Sequence, residues 1–415
     1  MSPPQGVSAE QGAEPASMGE PAPSSPIRVC VVGAGPRFLS GISYYTNRLI
    51  NALGTRYCVS AILVRRMMPA WMYPGRTRVG TALTQFEYPA GTVVLDGIDW
   101  YWVPSMYRAI RHLRRERPEV LVLQWWTATV FHSYFVLAVI ARSLGARVVI
   151  EFHELLDTAE LRLWPIRWYL RLISPILIRL AHAFVVHSEF DRSALLSRYS
   201  LPSDAVALVP HGPYDQYRPH TDQPRPQDDL CRLLYFGVIR PFKGVEDIVT
   251  ALELMTEEDA ARFSLTVVGE TWEGWTVPAE RIARSPLRGR INFVNRYVAD
   301  EEVAGFFAEA DVVVLPYHRS SASGPLHIAM ACGLPVVVSA VGGLKEAVER
   351  YEGAITVPPQ DPPALRDALL EVVSLRGHRY RDDHSWGQSL EGYDRLFADL
   401  ALRSAASSQR RGSTA

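Results

Sequence analysis

Short, largely apolar runs recur along this chain, each closed by a turn residue and followed by apolar positions at helical spacing. The runs at 28–32, 58–64, 120–124, 147–152, 183–187 and 206–210 lack polar alternation, the pattern of strands buried on both faces of a parallel sheet. Helices are predicted between them at 40–53, 107–117 and 131–144. A second series places strands at 233–237, 264–269, 291–294, 312–315 and 335–338, with helices at 245–255, 301–309 and 323–332. A final helical region includes Ser385-Trp386 and residues 393–402. Such alternation predicts doubly wound sheets, where ligands sit beyond the carboxyl ends of the strands.

Residues 215–229 are rich in Pro, Asp and Gln and carry no periodicity, so they predict a linker. The domain plan that follows is a tail at 1–26, a first α/β domain at 27–214, a linker at 215–230 and a second α/β domain at 231–385. A terminal helix at 386–404 and a disordered tail at 405–415 complete it. Two doubly wound halves then face each other across a cleft. The Pro-, Ser- and Gly-rich residues 1–26 contain no apolar run and do not read as a secretory leader.

The stretch 318–346 carries the densest punctuation. Ser323-Gly324-Pro325 reads as a helix start, with serine as N-cap and proline in the first turn. Leu326, Ala329, Met330 and Cys332 continue at helical spacing, and Gly333 ends the helix. Gly342-Gly343 opens another. Helix starts with glycine after buried strands can receive an anion on free backbone amides. Ordinary glycine-marked turns have the same spacing, so both readings stay open.

Composition narrows the classes. Hydrophobic residues make up 48% and charged residues 21% of the 415, as in a globular protein with large cores. The net charge of −1 gives no general attraction to nucleic acid. Only Lys243 and Lys345 are lysines, which directs attention to each. Cys30, Cys58, Cys231 and Cys332 lie in apolar stretches without paired spacing, and are expected in the core and not in a disulfide or zinc frame. No apolar run has the length needed to span a bilayer. Residues 161–183 interleave Trp164, Trp168, Ile173, Leu177 and Leu180 with arginines. The preferred reading is a core-facing helix broken at Pro175; the other is contact with a membrane surface.

Several chemistries are missing. Gly33-Ala-Gly35 follows the first strand, but the third glycine and the ribose-binding acid of a dinucleotide fingerprint are absent. No Asp-x-Asp triplet, Gly-x-Ser-x-Gly or phosphate-loop lysine motif occurs. What remains is a cleft with glycine-headed helices, the cations Arg240 and Lys243, and His153 at a strand end. That set suits a pyrophosphate held without a metal.

The segments Phe236-Gly-Val-Ile-Arg-Pro-Phe-Lys-Gly244, Ala310-Asp-Val-Val-Val-Leu-Pro316 and Ala329-Met-Ala-Cys-Gly-Leu-Pro-Val-Val337 resemble those of family-4 glycosyltransferases. So do Tyr297-Val-Ala-Asp-Glu-Glu-Val303, Val341-Gly-Gly-Leu-Lys-Glu346, Val186-His-Ser188 and Val209-Pro-His-Gly212. The likeness covers roughly residues 28–402. It implies a GT-B fold of two Rossmann-like domains, with the acceptor on the first, the donor mainly on the second, and a terminal helix crossing back. It further implies a retaining, metal-independent hexosyl transfer from a UDP- or GDP-linked sugar, with no other cofactor. The acceptor would be a glycan or lipid-linked glycan for the cell surface. The protein would then be cytoplasmic, at the inner face of the membrane.

By the same resemblance, His153 lies near the transferred sugar and Lys243 pairs with the diphosphate as catalytic groups. Gly41, Arg240, Lys243, Ser323, Gly324, Pro325 and Leu326 bind the donor. The family's usual arginine lies five residues before the lysine, where this chain has Val238. Its paired glutamates fall on Ser320 and Ile328, so neither sugar nor ribose contact can be made by a carboxylate there. A subgroup with Ser-Gly-Pro in this loop is similar. A non-catalytic module that binds a sugar nucleotide or scaffolds an enzyme is the alternative.

Overall fold

The computed structural model describes residues 26–37, 41–66, 86–99, 101–154, 164–218, 228–272 and 274–412. The first half builds a sheet from β1 (Arg28–Ala34), β2 (Cys58–Val64), β3 (Val93–Ile98), β4 (Val120–Trp125), β5 (Arg147–Phe152), β6 (Ala183–Val186) and β7 (Val206–Leu208). The strands are parallel, in the order 3-2-1-4-5-6-7. Helices α1 (Gly41–Leu53), α2 (Trp102–Glu116), α3 (Phe131–Ser143), α4 (Trp164–Leu180) and α5 (Glu189–Tyr199) flank it. In β1, Val29 and Val31 enter one hydrophobic core and Cys30 and Val32 the other. Both faces of the strand are therefore buried, which is why no polar residue interrupts the run.

The second half repeats the plan. Strands β8 (Cys231–Phe236), β9 (Phe263–Val268), β10 (Ile291–Val294), β11 (Val312–Leu315), β12 (Val336–Ser339) and β13 (Ala354–Val357) lie parallel in the order 10-9-8-11-12-13. The helices are α6 (Val245–Glu253), α7 (Glu257–Ala261), α8 (Val277–Arg284), α9 (Asp300–Glu309), α10 (Gly324–Ala331), α11 (Gly342–Val348) and α12 (Pro362–Val372). Each sheet reverses direction once, between β1 and β4 and between β8 and β11, and each reversal opens a crevice at the strand ends.

The last helix, α13 (Trp386–Gly412), returns to the first half. Trp386 Nε1 donates to the Pro213 carbonyl at 3.0 Å and Ser389 Oγ to that of Pro210 at 2.7 Å. Arg56 and Tyr57 both bond Asp394. Tyr393 and Phe397 are buried in the core that this helix shares with α1.

Several expectations are corrected. Helix α2 starts at Trp102, not at 107, because Pro104 is tolerated in a first turn. Helix α4 runs unbroken through Pro175. A mid-helix proline costs about 3 kcal/mol, and burial of Leu177 and Ile178 beyond it offsets the loss. Cys58 is exposed as the first residue of β2, whereas Cys30 and Cys231 are buried. Helix α13 continues past 404 to Gly412. The expected linker begins as a packed turn: Tyr217 is buried and its hydroxyl donates to Asp300 at 3.0 Å. Residues 1–25 of the expected tail and 219–227 of the expected linker lie outside the described residues. Strand β3 had no counterpart in the sequence reading.

Candidate active site

The carboxyl ends of the second sheet carry cations. After β8 the chain turns through a single 3-10 turn, Pro241–Lys243, before α6 begins. Lys243 is half-buried, with Nζ 3.5 Å from the centre of the Tyr317 ring. Desolvation, with Arg240 and Arg319 nearby and only Glu154 opposing, brings its ammonium down to about 7. Arg240 lies 4.7 Å over the Trp272 ring and Arg319 4.1 Å over Phe242. The side-chain packing holds three cations toward one space, and Lys243 has no ion pair among the described residues.

Two cavities meet at Lys243. One, of about 270 Å³, also touches Gly41, Ser323, Gly324, Pro325 and Ile328. The other, of about 720 Å³, touches His153, Arg240, Arg319 and Ser320. Most of the residues singled out from the sequence therefore border one or other of two cavities that share Lys243 and Ala322. Leu326 does not: it is fully buried and its side chain faces a third space of about 320 Å³. Lys345 is exposed on α11.

Ser323 caps α10 as expected: its Oγ accepts the Leu326 N–H at 3.3 Å. The two glycine-headed helices then part ways. A β-carbon at Gly324 would meet only the Tyr214 ring, at an ordinary 3.5 Å. A β-carbon at Gly342 would lie 2.1 Å from the Ser320 carbonyl, and one at Gly343 1.9 Å from that of Ser321. The chain's own loop therefore explains Gly342 and Gly343, while the helix start at Gly324 faces a cavity. Ile328 presents an apolar wall to the smaller cavity, and Ser320 Oγ is turned to the Ala322 carbonyl.

The strand ends of the first sheet carry imidazoles. His153 follows β5, His187 follows β6, and His211 lies just beyond β7. Beneath them Glu151 is fully buried. Its carboxylate accepts from the Tyr45 hydroxyl at 2.8 Å, the Tyr393 hydroxyl at 2.7 Å and the Gln124 amide at 3.1 Å. Burial alone would raise the Glu151 pKa, but the two imidazoles outweigh it and hold the group well below its usual range. Burial lowers the pKa of His153, against the pull of Glu151. His211 stacks on His327 of α10 across the cleft, ring centres 4.6 Å apart and 7° from parallel. Burial drops His327 to about 3. Glu346 of α11 adds a second bridge, accepting the Glu189 and Phe190 N–H groups that open α5 at 2.6 and 2.7 Å.

Sequence reasoning singled out only His153 of this set. A strand-end histidine occurring three times in succession was the available signal for His187 and His211. Glu151 gave none, because it sits inside an apolar run. Glu151, His153 and His187 also bring ligand atoms within 4.8 Å of one another.

Comparison with known proteins agrees with this architecture. Residues 39–213 match the family model for Glycosyltransferase Family 4, and residues 231–374 match that for Glycosyl transferases group 1. The chain is 26% identical over 221 residues to the O-antigen chain mannosyltransferase B of Escherichia coli, covering 48% of this chain and 56% of that protein. It is 24% identical over 254 residues to a D-inositol 3-phosphate glycosyltransferase of Corynebacterium diphtheriae, covering 56% and 59%. The chain thus spans little more than half the length of these curated relatives. Among solved structures, sucrose-phosphate synthase from Thermosynechococcus elongatus superposes with a TM-score of 0.61 at 18% identity, covering 94% of this chain and 100% of the other. The Anabaena protein HepE in complex with UDP-glucose gives 0.61 at 15%, covering 91% and 100%. These likenesses show a GT-B fold.

Proposed function

Because this chain belongs to the family-4-type glycosyltransferases, we propose that it transfers a hexose from a UDP- or GDP-linked sugar to a glycan or lipid-linked acceptor, with retention of anomeric configuration. The observation that carries this reading is Lys243 at the junction of two cavities, one bordered by the open start of α10 and the other by His153. As the glycosidic bond breaks, negative charge grows on the leaving diphosphate. Lys243, Arg240 and the amides beside Gly324 are placed to meet it, and fixed positive groups aimed at developing charge lower a barrier without a metal. A bound diphosphate restores the Lys243 ammonium that desolvation weakens. His153 borders the same space and is the group assigned to the sugar. The first domain would hold the acceptor and the second the donor.

The outer face of the first sheet supports work at the inner face of a membrane, in the cytoplasm, on surface polysaccharide or glycolipid. Trp102, Val103 and Tyr107 of α2 and Trp168, Leu172 and Ile176 of α4 are exposed. Exposed arginines accompany them, among them Arg108 and Arg111 on α2 and Arg171 and Arg179 on α4. Apolar side chains among arginines suit an anionic lipid surface. No helix among the described residues is long and apolar enough to cross a membrane.

A second reading, a GT-B module that binds a sugar nucleotide without turning it over, draws on Ser320 and Ile328 in place of carboxylates. Calorimetry with UDP-glucose and GDP-mannose, followed by measurement of nucleotide release in excess EDTA, decides between them. Binding with EDTA-resistant release supports the transferase. Binding with no release from any donor and acceptor supports the module, and no binding of either nucleotide overturns both.

A further inference from the structure

We propose that Glu151, His153 and His187 form a binding site for a divalent transition metal of the zinc class. Glu151 Oε1 lies 3.4 Å from His187 Nε2 and 3.7 Å from His153 Nε2. Ligand atoms around a tetrahedral ion with bonds of about 2.0–2.2 Å stand roughly 3.3–3.6 Å apart. Two sides of the triangle are therefore near the length that an ion needs, and the three ligand atoms all lie within 4.8 Å of one another.

The hydrogen bonding points the same way. His187 Nδ1 lies 2.9 Å from the Val209 carbonyl, which can only accept, so Nδ1 carries a proton. In the neutral ring, Nε2 then aims a lone pair at the Glu151 carboxylate. Both Nε2 atoms are buried without a hydrogen-bond partner, and the His153 and His187 side chains are 9% and 4% exposed. Lone pairs facing a carboxylate repel unless positive charge lies between them. An Nδ1–H held by a backbone carbonyl is also how metal-bound histidines are commonly oriented.

The surroundings complete the site. The Tyr45 and Tyr393 hydroxyls and the Gln124 amide fix the Glu151 carboxylate in place, as outer-shell groups around a metal do. Two imidazoles and one carboxylate suit zinc or cobalt better than magnesium. His153 borders the cavity of about 720 Å³ and His187 that of about 320 Å³, so space reaches the cluster's flanks from two sides. A bound ion would occupy His153 Nε2 and withdraw it from the sugar; this consequence alone rests on the proposed function.

The test uses untagged full-length protein stripped with chelator and then freed of it. Titrated with Co²⁺ at neutral pH, it should take up one equivalent and show the visible absorption of a low-coordinate site. Zn²⁺ should displace the cobalt and bleach the band. His153→Ala and His187→Ala should each abolish the band, and Tyr393→Phe, which removes an outer-shell donor, should weaken Zn²⁺ binding about 10-fold or more. Absence of uptake would mean that a proton bridges these groups, and would overturn the site. So would a band that survives in both histidine variants. The readout is metal occupancy, so it stands apart from any failure to find a sugar donor.

Discussion

The two sheets share a strand order around their reversals, yet they equip their carboxyl ends in opposite ways. The first sheet closes its crevice with side chains that bond one another: Glu151 takes two phenols and an amide, and imidazoles pack above it. The second leaves its crevice open, with Lys243, Arg240 and Arg319 held by aromatic faces and the α10 start bordering a cavity. One side is a pre-built wall and the other a receptor for charge. A carboxylate bonded on all sides in a low-dielectric interior is held rigidly, whereas cations packed on aromatic rings present positive charge to a ligand. The fold supplies the crevice; the side chains decide what enters it.

The contrast can be broken most forcefully at Glu151. Glu151→Ala leaves phenols, an amide and imidazoles without their buried carboxylate, and should cost about 3–5 kcal/mol of stability, read by urea denaturation. Wild-type stability in this variant would mean that the wall is not a cooperative network. On the open side the loss should fall on activity. Lys243→Ala should lower kcat/KM by about 2–4 kcal/mol of transition-state stabilisation, with kcat affected and the melting temperature nearly unchanged. A variant turning over like wild type would remove Lys243 from the site.

The two glycine-headed helices sharpen the comparison further. Gly342 has φ +46° and a carbonyl in the way of any β-carbon, so Gly342→Ala should lose about 1–3 kcal/mol of stability. Gly324→Ala has room and should stay within about 0.5 kcal/mol, while weakening UDP- or GDP-sugar affinity about tenfold, which is 1.4 kcal/mol. Equal thermal melts with equal donor Kd in Gly324→Ala would sink the donor role of that loop.

The remaining effect is a slope. His327 titrates near 3 when folded and near 6.5 in its ordinary state, so between these pH values the unfolded chain binds the extra proton. Its contribution is complete above about 6.5 and declines as pH falls toward 3, by up to about 1.4 kcal/mol per pH unit. His327→Phe keeps a ring against His211 and should flatten the dependence over pH 4–6.5. Parallel stability curves for the two proteins would show that His327 is solvated and the cleft looser than described.

What the sequence determined by itself was local. Strands β2 and β10 end where their largely apolar runs give way to consecutive polar residues, Arg65-Arg66 and Asn295-Arg296. The Ser323 cap, the turn before Lys243 and the helix from Gly41 were legible for the same reason: capping and turn chemistry act over a few residues. The loss of carboxylates at Ser320 and Ile328 was equally plain. Tertiary structure alone decided the rest. Tyr45 and Tyr393 reach Glu151 from 106 and 242 positions away, a juxtaposition set by strand order and by the return of α13. The roles of Gly324 and Gly342 separated only once the Ser320–Ser321 carbonyls were seen against one and a cavity against the other. Periodicity reports which face of an element is buried, but not which distant residue it will be buried against.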